Sequence, residues 1–147
     1  MSHRTNHLQN QANRSQKGQA LVEFAMGLFF LLLLISGIVD LGRAIFTYMD
    51  LREAAQEGAA YATVNPYDTT GIEDRAKQSS NVFDPTDTNL SVNVDTEANP
   101  CLGKNINVDV SMANFPLTMP FMGTILGTQS LTITASIQDT VLVPLCP

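Results

Sequence analysis

Lys17-Gly18-Gln19-Ala20-Leu21-Val22-Glu23-Phe24, followed by a run without charge to Val39, is the stretch that decides how this chain is built. A basic leader, a glycine and a single acid stand where an apolar helix begins. Phe24 to Val39 is short for a membrane span. Adding Ala20 to Glu23 brings it to about twenty residues, enough for roughly 30 Å of hydrocarbon. A carboxylate at the bilayer centre costs about 2.5–3.5 kcal/mol on insertion scales and less near the interface. The span therefore works best with Glu23 protonated, paired or close to the interface.

Charge is distributed unevenly around this stretch. Before Gln19 the charged residues are Arg4, Arg14 and Lys17, with no acid; the remainder holds five basic residues against all 14 acids of the chain. A basic leader ahead of an apolar run places the N-terminus in the cytoplasm and the acidic body outside it. An acidic body lacks the basic footprint that nucleic acid requires. Residues 1–18 are polar, rich in Asn and Gln and without apolar period, and read as an unstructured cytoplasmic leader.

Beyond the span the helical period continues. Ala44, Tyr48, Leu51, Ala55, Gly58 and Ala62 recur at spacings of four and three, one stripe of a helix. Asp40, Arg43, Asp50, Arg52, Glu53 and Glu57 are expected on its wet face, and Asn65-Pro66 ends it. The small residues of the stripe fit either packing on a following sheet or a contact with another subunit. A short helix is expected over 72–80. The period then becomes two: Leu90, Val92 and Val94; Ile106, Val108, Val110 and Met112; Leu131, Ile133, Ala135 and Ile137 each alternate with polar residues. Three strands with one apolar face make an antiparallel sheet that needs cover. The fold class is α+β, a long N-terminal helix packed on a small three-stranded sheet. Its segments are leader 1–18, transmembrane helix 19–40, extracytoplasmic helix extension 41–65 and sheet-containing domain 66–147. The apolar loop 115–122, broken by Pro116 and Pro120, reads as a lid over the core, with a partner or membrane-surface patch as the other reading.

Chemistry is sparse. There is no phosphate-binding glycine loop, metal-ligand spacing or nucleophile motif. The acids from Asp68 to Glu97 lack EF-hand spacing and read as a solvated face. No enzyme activity, cofactor, metal site or small-molecule substrate is expected. Cys101 and Cys146 would close a loop of about 45 residues if paired, worth roughly 4 kcal/mol on the chain-entropy model. An extracytoplasmic compartment favours that disulfide over two free thiols.

The region after Val39, Asp40-Leu41-Gly42-Arg43, is a poor signal-peptidase site. Cleavage between Gly18 and Gln19 instead keeps the membrane helix in the mature chain. Gln19 then becomes residue one and Glu23 residue five, one helical turn apart. The new amine, at the positive end of the helix dipole, can be neutralised by Glu23 of the same or an adjacent subunit. Cyclisation of Gln19 would remove that amine.

Gly18-Gln19-Ala20-Leu21-Val22-Glu23-Phe24-Ala25 looks like a type IV prepilin junction. Together with Ser36-Gly37-Ile38-Val39-Asp40-Leu41-Gly42-Arg43 and Arg52-Glu53-Ala54-Ala55-Gln56-Glu57-Gly58-Ala59-Ala60, it resembles more narrowly the TadE-like proteins. These are minor pilins or pseudopilins of the tight-adherence (Flp, type IVb) pilus system. Where many relatives carry a proline after the glutamate, this chain has Phe29. The resemblance implies cutting after Gly18 by a membrane-embedded prepilin peptidase. It further implies a product that works with other pilin-like subunits and the pilus assembly platform. It assigns assembly to Glu23, with Phe24 beside it. The expected location is the inner membrane, single pass, or a pilus built from it. The other reading is an uncleaved, membrane-anchored binding protein whose Glu23 meets a partner helix. An ordinary secreted protein beginning after Val39 is a third.

Overall fold

The computed structural model describes residues 3–80, 84, 86–96 and 101–143, with side chains from residue 18 onward. The elements run α1 (His3–Val64), α2 (Thr69–Ser79), β1 (Leu90–Thr96), β2 (Asn105–Pro116), α3 (Met122–Leu126) and β3 (Ser130–Thr140). They fall into two compact units, residues 1–39 and 40–147.

The first unit is helix alone. The stretch of α1 from Gly18 to Val64 includes a window of mean hydropathy 2.4, none of it buried, and is long and apolar enough to cross a membrane. Leu21, Phe24, Phe30 and Leu34 are all exposed. The helix already begins at His3, which corrects the expectation of an unstructured leader. Between His3 and Lys17 there is no glycine or proline, and Gln, Arg, Ala and Leu are good helix formers. Once the apolar run supplies the costly nucleus, each added turn is easy, so helix spreads back through the polar residues.

In the second unit α1 covers the sheet, as expected. Leu51, Ala54, Ala55, Ala59 and Ala62 join Ile106, Val108, Val110 and Met112 of β2 in one core. The small-residue stripe is thus core packing, not a subunit face. Gly58 shows why small residues are needed: a Cβ there would stand 3.1 Å from Ala76 Cβ and 3.3 Å from Val108 Cγ1. Tyr48, placed on the stripe by spacing, is exposed, because the covered face runs past it through Thr47 and Leu51. Pro66 cannot continue the helix, and α1 stops at Val64. The 72–80 helix appears as α2, capped by Asp68, whose Oδ1 accepts from the Gly71 N–H at 3.0 Å. Ile72 and Ala76 of α2 are buried in the same core.

The sheet has order β1-β2-β3, both pairs antiparallel. Val108 stands opposite Val94 on one side and Ile137 on the other. The three expected apolar faces turn inward, most completely on the central strand, except Leu131 near the start of β3, which is 41% exposed. The pairing of β2 with β3 shifts register between Met112 and Phe115. Asn114 takes φ 58°, and its side chain donates to Asn89 Oδ1 at 3.0 Å. The extra residue of this bulge reverses the alternation, so Phe115 rather than Asn114 faces the core.

Two ties bind the ends of this part of α1 to the sheet side of the unit. At the far end the Leu142 N–H donates to Thr63 O at 2.8 Å. At the near end Asp40 receives the loop after β2.

Candidate functional site

The residues picked out around the leader junction lie on one helix face. Gly18, Gln19, Val22, Glu23, Met26, Gly27 and Phe30 line a shallow groove along α1. Their spacing of four and three is what puts them together. All are exposed. A Cβ at Gly18 or Gly27 would meet nothing within 4 Å, so neither glycine serves packing inside the chain. Among the described residues nothing bonds the Glu23 carboxylate. Phe24 is exposed on the adjoining side. Phe29 stands in an edge-to-face pair with Phe30, ring centroids 5.9 Å apart. Gly18 is helical in the uncut chain. A helical glycine is about 1 kcal/mol weaker than alanine, which makes Gly18 an easy point to unwind.

A second site was missed. Asp40, expected on the wet face, is only 6% exposed, and Asp50 only 8%. Asp40 Oδ1 accepts from the Thr118 N–H at 3.0 Å and from the Thr118 hydroxyl, and Oδ2 accepts from the Met119 N–H at 2.7 Å. Arg43, one turn on, sits 3.6 Å from Asp40 and stacks over Phe115 with Cζ 5.2 Å from the ring centroid. Asp50 receives the Ser80 hydroxyl. The partners of Asp40 are 78 and 79 positions away, so no local pattern signals them. The one available cue was an acid closing an apolar run, read only for charge.

Gln129 holds the same loop together. Its Nε2 donates to Leu117 O at 2.9 Å and Met119 O at 3.1 Å, and its Oε1 accepts from the Gly123 N–H at 2.9 Å. Phe115 is buried as a lid would be, whereas Phe121 is 61% exposed.

Asp84 and Asp87 of the middle segment serve turns. Asp84 accepts from the Thr86 hydroxyl at 2.7 Å and the Thr86 N–H at 2.9 Å, which hold its carboxyl below the usual range against the opposing effect of burial. Asp87 Oδ1 accepts from the Asn89 N–H at 2.9 Å and from its side-chain amide at 3.0 Å. Among the described residues no group of three or more His, Cys, Asp or Glu could hold a metal ion. Tyr61 donates its hydroxyl to Asp68 Oδ2 at 2.9 Å; that bond, then burial and the Asp68 charge, push the phenol upward. Glu97 and Cys146 lie outside the described residues, and no free cysteine occurs among those described.

Residues 18–60 match the family model described as TadE-like protein. The match begins at Gly18, takes in Glu23, Asp40, Ala54, Ala55 and Ala59, and ends before the strands. No curated protein and no solved structure matches the chain.

Proposed function

We propose that this chain is a membrane-anchored, pilin-like subunit that takes part in assembling a type IVb (Flp/Tad) pilus or a related secretion pseudopilus. In this reading α1 spans the inner membrane once, N-terminus inside, and the prepilin peptidase hydrolyses the Gly18–Gln19 bond. The observation that carries it is the exposed face of α1 on which Gly18, Gln19 and Glu23 lie together, at the start of the TadE-like match. A carboxylate on a lipid-facing helix with no bonding partner among the described residues is stabilised by a cation from outside. The Gln19 amine of a neighbouring subunit supplies one, in register. The apolar surface of α1 also continues past the span: Leu41, Ile45, Phe46 and Met49 are at least half exposed. That face suits helices of neighbouring subunits better than the small-residue stripe, which is used up by the core.

The mature N-terminus tests the proposal. Mass spectrometry of membrane-extracted protein, from cells with active prepilin peptidase, should give a chain starting at Gln19. A mass short by one ammonia would mark a cyclised Gln19 and remove the amine from the account. A start at Met1 or Ser2 would support the other reading, an uncleaved anchor whose Glu23 contacts a partner helix. The unbroken helix through Gly18 favours that reading. Glu23→Gln should insert normally yet leave cells without assembled pili; normal piliation would refute the role given to Glu23.

A further inference from the structure

The loop after β2 exposes more apolar surface than a lid requires. Ile125 is 74%, Phe121 61% and Leu126 50% exposed, and α3 buries none of its residues. Phe121 also holds φ 69°, a left-handed backbone that glycine or asparagine adopts far more readily than a bulky aromatic. A loop selected only for its turn would carry glycine there, as it does at Gly127 with φ 76°. No charged side chain lies between Asp109 and Asp139, in a chain of net charge −6. The loop is tied through Thr118 and Met119 to Asp40, the residue immediately after the apolar run that ends at Val39. However the helix leaves the bilayer, this loop is anchored at Asp40, the last residue of the expected 19–40 span.

We propose that Phe121, Ile125 and Leu126 dip into the headgroup–acyl boundary of the phospholipid bilayer from which α1 emerges, forming a second, shallow membrane contact. The proposal rests on the reading of α1 as a membrane span. An uncharged apolar tip beside the end of a span loses little hydration and meets no repulsion from anionic headgroups. Burial of the apolar side chains in lipid compensates the strained backbone of Phe121.

The chain contains no Trp, so one introduced Trp is the sole indole reporter. Full-length Ile125→Trp, Leu102→Trp and Phe30→Trp are reconstituted separately in phosphatidylcholine vesicles. The lipid carries bromine either near the ester end or near the tail of the acyl chain. Leu102 is 59% exposed and neighbours Gly103, which bonds Val141 next to the Thr63 end of α1, so it reports the far end of the unit. The expected result is blue-shifted Ile125→Trp emission, mostly lost with ester-end bromine, and Leu102→Trp emission unshifted and unquenched. Leu126→Trp should repeat the Ile125→Trp behaviour. Unquenched Ile125→Trp beside tail-quenched Phe30→Trp overturns the proposal and leaves the span intact. Blue-shifted but unquenched Ile125→Trp identifies protein cover, from a second copy or a partner, and also overturns it. Unquenched Phe30→Trp overturns the span and this proposal together.

Discussion

Single residues divide by how far their partners lie along the chain. Gly18 and Glu23 could be found from the sequence because what makes them informative, position within one apolar helix, is local. Asp40 could not, because its meaning is supplied by Thr118. Replacing Asp40 with Ala leaves the Thr118 and Met119 N–H groups and the Thr118 hydroxyl without their acceptor. We expect a loss of about 1–3 kcal/mol in denaturant unfolding of the detergent-solubilised chain, with Asp40→Asn less affected. The Tyr61–Asp68 bond makes a pH prediction. The folded pKa of Tyr61 is raised above its ordinary value of 10.0, so its contribution to stability is complete below that pH and is lost as pH rises through the higher folded value. Asp68→Asn should bring the Tyr61 titration down, read from its ring resonances by NMR; an unchanged midpoint would discount the bond.

Whole elements were more legible than their ends. The 3.6-residue period with no proline before Pro66 fixes α1 as a helix, and strict alternation fixes the three strands. The start of α1 was hidden because polar residues of fair helix propensity carry no periodic signal. The bulge in β2 was hidden because one inserted residue leaves the alternation intact on either side. Asn114 in the left-handed region was its only trace. Gly58 tests the helix–sheet contact: with Ala76 and Val108 already close, Gly58→Leu should overpack the core and cost about 1–3 kcal/mol or more, read as a lower unfolding midpoint. Removing the α2 cap with Asp68→Ala should cost about 1 kcal/mol, seen as faster amide exchange in the first turn of α2.

Across the molecule, every described apolar face was legible as apolar, but its use was not. The small stripe that suited a subunit contact is core, and the large side chains Leu41, Ile45, Phe46 and Met49 are left uncovered. Composition cannot separate these, because which face a sheet covers depends on the register between distant segments. The proposed Cys101–Cys146 disulfide belongs to this scale as well. Non-reducing digestion of exported protein should yield the two cysteine peptides joined, and two alkylatable thiols would refute it.

The ties at Asp40 and Thr63 have a mechanical consequence. They stand 23 residues apart on α1, about 35 Å along a helix. A pull along the helix axis loads both together with the packed core between them. Such loading is shear, in which bonds must fail collectively, whereas peeling would break them one at a time. A chain held in this way resists tension along α1 best, and its weakest direction is across α1.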